Sequence, residues 1–188
     1  KENLIFNFHK LTHILFLLAT GDYIWHKKEN LKLEKNMTES NPTLPEAKDG
    51  LIPTLNQMGW MTTGLDVYSR AFVDFAAQAP GSALDIGAAY GVASLAALKT
   101  GAKVIANDID ARHLDILYEN ASTDAGNLTL LPGSFPDGID LPNGSVGAIL
   151  VCRVLHFFDG TTIERGIEKM FNWLAKGGKI FAVGETPY

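Results

Sequence analysis

Beyond its first fifty residues the chain alternates short apolar runs with stretches whose apolar positions recur every three or four residues, the pattern of strands separated by amphipathic helices. Leu65, Tyr68, Phe72 and Phe75 share one face of a predicted helix that stops at Ala79-Pro80-Gly81. The run 82–86 predicts a strand, followed by the tight turn Gly87-Ala88-Ala89-Tyr90-Gly91 and a small-residue helix over 92–99. A second strand is predicted over 103–107, closed by Asp108, and Asp110 is placed to cap a helix carrying Leu114, Leu117, Tyr118 and Ala121 on one face. Residues 128–131 read as a third strand. The run 146–152 is apolar throughout except for Gly147, which predicts a strand buried on both faces in the middle of the sheet. Thr161 and Glu164 fit a capping box for a helix with the stripe Ile163, Ile167, Met170, Phe171 and Leu174, ended by Gly177-Gly178. A fifth strand is expected over 179–183. The alternation predicts a mostly parallel α/β sheet with helices on both faces.

The start of the chain breaks this pattern. Residues 1–36 are rich in Lys, Asn, Leu, Ile and Phe and read as an appended extension. The apolar run 14–19, with Lys10 upstream, is similar to the core of a signal peptide, far short of the roughly 20 apolar residues a membrane span needs. Met37 opens a polar stretch over 38–45 and is expected to be the natural start; a membrane-surface helix is the alternative reading of what precedes it. The expected organisation is an extension and linker over 1–50 and a folded domain over 51–188.

A formal net charge of -5 and a pI near 5.5 leave no broad basic field for a phosphate backbone, so nucleic acid is not expected as a partner. The single cysteine, Cys152, has no disulfide partner and no metal-ligand spacing, which suits a reducing cytoplasm. His9, His13, His26 and His113 show no metal spacing either, and no metal is expected.

A glycine-rich turn between a strand and a helix lets a ligand approach the main chain, while the helix N-terminus offers unpaired N–H groups to negative charge. Gly87 and Gly91 place such a turn after the first predicted strand of the alternating unit. Asp108 is expected at the tip of the neighbouring strand, where its carboxylate can accept two hydrogen bonds from ribose hydroxyls. Both features fall at the carboxyl ends of adjacent parallel strands, which predicts a nucleoside cleft. The dinucleotide fingerprint G-x-G-x-x-G is not met by Gly-Ala-Ala-Tyr-Gly, whose last glycine is misplaced for NAD.

The stretch Leu84-Asp85-Ile86-Gly87-Ala88-Ala89-Tyr90-Gly91 resembles the first motif of class I S-adenosylmethionine-dependent methyltransferases, an acidic residue followed by G-x-G-x-G, with Ala89 in place of the middle glycine. Val104-Ile105-Ala106-Asn107-Asp108-Ile109-Asp110 is similar to the family's second-strand motif. By that resemblance Asp108 is the ribose ligand and Ile109 a wall of the adenine pocket. Leu131-Pro132-Gly133-Ser134-Phe135-Pro136 stands where the family usually has Gly-Asp, so that the Ser134 hydroxyl and the Phe135 main-chain N–H are the expected adenine partners. Leu141 to Ile149 resembles the run into the fourth strand, with Gly147 where aspartate is common. Leu150 to Phe158 is similar to the segment after that strand, and Leu174-Ala175-Lys176-Gly177-Gly178 to the L-K-P-G-G turn before the fifth. The resemblance extends from about Trp60 to Tyr188.

Within this frame Asp85 either orients the glycine loop and meets the methionine amino group or caps the helix. Arg153 either pairs with the methionine carboxylate or joins a surface ion pair. His156 is expected to be a packed residue rather than a general base. Trp60, Met61 and Tyr68 either line an acceptor pocket or pack in the core. The resemblance implies the class I methyltransferase fold, S-adenosylmethionine as cofactor with S-adenosylhomocysteine as product, and methyl transfer to a small-molecule acceptor. A binding module without turnover, suggested by Ser134 and Gly147, and an NAD(P)-dependent oxidoreductase are the competing readings. The family adds two strands after the fifth, so the chain is expected to be truncated. An exposed sheet edge would follow, open to dimerisation or to capture of the N-terminal extension.

Overall fold

The computed structural model describes residues 15–18 and 42–184. At its centre is a six-stranded sheet. Five of its strands are parallel: β4 (Ser82–Ile86), β5 (Val104–Asp108), β6 (Leu128–Pro132), β7 (Val146–Cys152) and β8 (Leu174–Val183). The sixth, β1 (Leu15–Leu18), runs antiparallel along β8, from Leu15 opposite Ala182 to Leu18 opposite Lys179. The order across the sheet is β1-β8-β7-β4-β5-β6. The chain therefore winds from β4 outward through β5 to β6, returns to the other side of β4 and continues through β7 to β8. That reversal opens a crevice at the carboxyl ends of β4 and β7. The expected parallel sheet with helices on both faces is present, and a segment of the N-terminal extension lies on the β8 edge. Met37 and the greater part of that extension fall outside the described residues.

Alternation along the strands divides the core. Ala83, Val104, Ala148, Leu150 and Phe181 point to one face, where Phe72, Val73 and Ala76 of α1 (Val67–Ala76) and Ala93, Ala97 and Leu98 of α2 (Val92–Lys99) cover them. Leu114 and Leu117 of α3 (Ala111–Ala121) close on Ala88 and Ala106. Leu84, Ile86, Ile149, Val151 and Ile180 point to the other face, under Met170 and Trp173 of α4 (Gly160–Trp173). Strand β7 is buried at every position but Cys152, as a strand covered on both faces requires. The small side chains of α2 let its axis come close to the sheet, and Gly91 starts it in the left-handed region at φ +81°. A Cβ there would collide with the Leu117 side chain.

Several elements differ from the sequence reading. A hairpin, β2 (Leu51–Pro53) paired with β3 (Trp60–Thr62), precedes α1 where the pattern had shown no strand. Helix α4 is capped by Asp159, whose carboxylate accepts from the Thr162 N–H at 2.7 Å, and not by a box at Thr161 and Glu164. It ends at Trp173, so Leu174, Gly177 and Gly178 belong to an irregular start of β8. Tyr118 is half exposed on α3, and its place on the buried face is taken by His113 and Ile116. Gly147 lies at the amino end of β7, away from the crevice. A Cβ on it would come within 2.8–2.9 Å of the Pro80 backbone, so close packing of the 79–81 turn accounts for glycine there.

Candidate functional site

Two adjoining cavities occupy the crevice and share Trp60, Gly87 and Ala89. Their floor is the turn after β4. Gly87 and Ala89 are both left-handed, at φ +68° and +46°, which aims their main-chain N–H groups away from the helical path. The Ala88 N–H donates to the Asn107 carbonyl at 2.8 Å, and the Ala89 N–H donates to Asp108 Oδ2 at 2.8 Å. The loop is thereby fastened to the tip of β5. A Cβ on Gly87 would collide with Val154, so the Val154 segment and the loop close on each other through that glycine.

The first cavity lies over the tips of β5 and β6. Asp108, Ile109, Ser134 and Phe135 line it beside Gly87, and Met58, Trp60 and Phe157 stand at its mouth. Trp60 is 63% exposed and Ile109 59%. Asn107, fully buried, holds the loop that carries Ser134 by donating from Nδ2 to the Leu131 and Gly133 carbonyls at 2.8 and 2.9 Å. The Asp108 carboxylate is buried and already accepts three hydrogen bonds. Besides Ala89, the Asp110 N–H donates to Oδ1 at 2.9 Å and His113 Nδ1 lies 3.0 Å from the same oxygen. A carboxylate offers about four acceptor positions, so about one remains for a ligand hydroxyl where the sequence suggested two.

The second cavity lies over the α1 and α2 side, lined by Asp85, Arg153, Cys152, Ser69 and Met61. Asp85 is 4% exposed and its Oδ2 accepts from Ser94 Oγ at 2.7 Å. Burial pushes its carboxyl up to about 6, with Asp108 adding to the rise against the hydrogen bonds from Ser94. Arg153 sits just past β7 at φ +55°, held by its N–H to the Val183 carbonyl at 2.7 Å. Its Nη1 donates to Asp66 Oδ2 at 3.1 Å. Asp66 also caps α1, accepting from the Tyr68 and Ser69 N–H groups. Burial works to raise the Asp66 carboxyl, and the bonds from Ser69, Arg153 and Tyr68 outweigh it and hold it below its ordinary value. Burial pushes the Cys152 thiol up.

The crevice thus gathers Trp60, Asp85, Gly87, Ala89, Asp108, Ile109, Ser134, Phe135 and Arg153. Gly91 is behind the loop, packed on Leu117, and Tyr68 is half buried on α1; neither lines either of these two cavities. His156, expected to be packed, is instead exposed; it lines neither cavity, and its ring lies tilted against Phe157 at 4.1 Å between centroids. Sequence reasoning passed over His113, Asn107 and residues 54–59. Asn107 carried a signal, as a polar residue ending an apolar strand; 54–59 carried none, since only the hairpin brings them to the crevice. Among the described residues no cluster of side chains fits a metal ion.

Residues 83–178, half of the chain, match the family described as "Methyltransferase domain". No curated protein sequence matches. Among solved structures, a candidate S-adenosylmethionine-dependent methyltransferase of Methanococcus maripaludis is 19% identical with a TM-score of 0.52, covering 62% of this chain and 53% of its own. Phosphoethanolamine N-methyltransferase 1 of Haemonchus contortus, in complex with phosphoethanolamine and S-adenosylhomocysteine, is 18% identical with a TM-score of 0.53, covering 62% and 25%. A candidate O-methyltransferase of Nostoc punctiforme is 26% identical with a TM-score of 0.53, covering 61% and 35%. The match spans about half or less of the length of these proteins. The glycine loop, the acidic tip of β5 and the strand order lie in the matched stretch, and the chain belongs to the methyltransferase-domain family with the class I, Rossmann-like fold.

Proposed function

We propose that the chain binds S-adenosylmethionine in this crevice and transfers its methyl group to a small-molecule acceptor. The observation that carries the reading is the Asp108 carboxylate, held by three protein hydrogen bonds with about one acceptor position left over a cavity walled by Ile109 and Phe135. That combination suits an adenosine: a ribose hydroxyl on the acid and a flat base between apolar side chains, with Ser134 at the base edge. In the adjoining cavity Asp85 suits the methionine ammonium group and Arg153 its carboxylate, once Arg153 shares or leaves Asp66. The two cavities meet at Gly87 and Ala89, so the sulfonium belongs beside the loop under Trp60. When bound, the cofactor supplies an electrophilic methyl group that an acceptor atom can attack directly.

The protein's own contribution is then alignment and exclusion of water. Met58, Trp60 and Phe157 give the mouth an exposed apolar rim. The acceptor of the Haemonchus contortus structure, phosphoethanolamine, is likewise small. The acidic net charge speaks against nucleic acid. No helix among the described residues is long and apolar enough to cross a membrane. The lone cysteine suits a cytoplasmic setting. Calorimetric titration of S-adenosylhomocysteine and of NAD into the folded chain and its Asp108→Ala variant tests the reading. Binding of S-adenosylhomocysteine alone, lost in the variant, is expected. Binding of NAD in its place, or equal binding by the variant, overturns it.

A further inference from the structure

His113 is 1% exposed and belongs to the buried face of α3, yet both ring nitrogens have partners on opposite sides. Nδ1 lies 3.0 Å from Asp108 Oδ1, and Nε2 accepts the Leu55 N–H at 3.0 Å. Because the Leu55 amide can only donate, Nε2 must be unprotonated, which puts the ring hydrogen on Nδ1 and directs it to the carboxylate. Asp110 Oδ2 lies 3.8 Å from Nε2, beyond hydrogen-bond reach. The ring also meets Tyr90 edge to face, 5.0 Å between centroids, and the Tyr90 hydroxyl donates to the Pro53 carbonyl at 2.8 Å. Two adjacent side chains thus grip 53–55, the start of the hairpin turn that delivers Met58 and Trp60 to the mouth of the crevice. Only one of them also touches Asp108.

We propose that His113 is a positioning residue that couples Asp108 to the seating of the 51–62 hairpin, so that occupation of the nucleoside cleft and closure of its mouth reinforce each other. The proposal rests on the assignment of the crevice as an S-adenosylmethionine site. Its physical basis is that a chain of polarised hydrogen bonds, Leu55 N–H to imidazole to carboxylate, strengthens at each link when the others are made. With the ring in this tautomer, the carboxylate presents its remaining lone pair in one direction. Without the ring, one carboxylate oxygen turns toward another donor and the half-buried Leu55 amide loses its bond to the imidazole.

Three substitutions separate the two links. His113→Phe keeps ring size and removes both. His113→Asn places an amide N–H near the Nδ1 position, and His113→Gln places an amide oxygen near the Nε2 position. Tyr90→Phe loosens the same hairpin without contact to Asp108. Each folded variant is measured with and without S-adenosylhomocysteine, by calorimetry for affinity and by hydrogen exchange for the amides of 51–62. Without ligand, the Leu55 amide is expected to exchange about tenfold faster in His113→Phe and to be rescued by His113→Gln. The affinity is expected to fall about tenfold in His113→Phe, to recover in His113→Asn, and to change less than threefold in Tyr90→Phe. In the wild type the ligand is expected to slow exchange across 51–62, and in His113→Phe to leave it unchanged.

Unaltered Leu55 exchange in ligand-free His113→Phe overturns the link to the hairpin. Wild-type affinity in that variant, or equal loss in Tyr90→Phe, overturns the coupling and reduces the histidine to packing. Absence of S-adenosylhomocysteine binding by folded wild-type protein overturns the cofactor assignment and the coupling with it, while the ligand-free exchange still decides the hairpin link.

Discussion

Asp85 lies under the glycine loop with Ser94 Oγ on one carboxylate oxygen, and its burial favours the uncharged acid up to about pH 6. In the unfolded chain the same group ionises near 3.8, so the native state holds the extra proton between these values. Stability is therefore full at the acid end of that window and falls by about 3 kcal/mol as pH rises from about 4 to about 6. Asp85→Asn removes this titration. The variant is expected to unfold at higher urea concentration than wild type at pH 7, with the difference vanishing near pH 4. If Asp85 meets a ligand ammonium, the ionised form is the one that binds, so S-adenosylhomocysteine affinity should rise with pH through about 6 in wild type and be flat and lower in Asp85→Asn. A more stable protein that binds less is the signature of a charge kept for function. Ala89 is the complementary case. It adopts φ +46° with a Cβ that disfavours this region, and the N–H it turns to Asp108 needs no side chain. Ala89→Gly is expected to raise the unfolding free energy by about 0.5–1 kcal/mol, less than the full left-handed penalty because glycine gains entropy in the unfolded chain, and to leave ligand affinity unchanged.

At the level of elements, Gly91 and Asp159 begin two helices by different means. Gly91 starts α2 in the left-handed region against Leu117, so Gly91→Ala combines a backbone penalty with overpacking and is expected to cost about 2–4 kcal/mol in chemical denaturation. Asp159 caps α4 through one exposed hydrogen bond, and Asp159→Ala is expected to cost about 1 kcal/mol. Most strands and helices from Ser82 to Val183 were legible from apolar runs, from three-to-four-residue periods or, for α2, from small residues after a glycine turn. Strands β4 and β7 and helix α2 appear where the pattern placed them. The hairpin of β2 and β3 was not legible. Its strands are three residues each, too short to show alternation, and they are held by His113 and Tyr90 from distant parts of the chain. The same reason hid Thr54, Asn56, Met58 and Gly59 as parts of the crevice. Asp108 and the glycine loop were readable as local motifs. The partner nitrogens of His113 could not be assigned from a sequence in which the histidine simply stood on a helix face, and Tyr68, on an amphipathic face like any other, pointed as well to the site as away from it.

For the whole molecule, the crevice is fastened by the protein's own hydrogen bonds: the loop is bonded to Asp108, the β6 loop is pinned by Asn107, and the hairpin is seated on His113 and Tyr90. A ligand that binds the folded chain and not the unfolded one stabilises the native state by mass action. At a ligand concentration 100 times the dissociation constant this amounts to about 2.7 kcal/mol, which in a chain of this size shifts the melting temperature by roughly 5–10 °C. S-adenosylhomocysteine is expected to produce such a shift at pH 7.5 and a smaller one at pH 5, where Asp85 holds its proton. NAD at the same concentration is expected to produce none, and Asp108→Ala to abolish the shift while retaining a cooperative transition. The three measurements divide the explanations. A shift with S-adenosylhomocysteine that ignores Asp108 would place the ligand elsewhere on the surface, and a shift that ignores pH would separate Asp85 from the ammonium group while leaving the ribose contact intact.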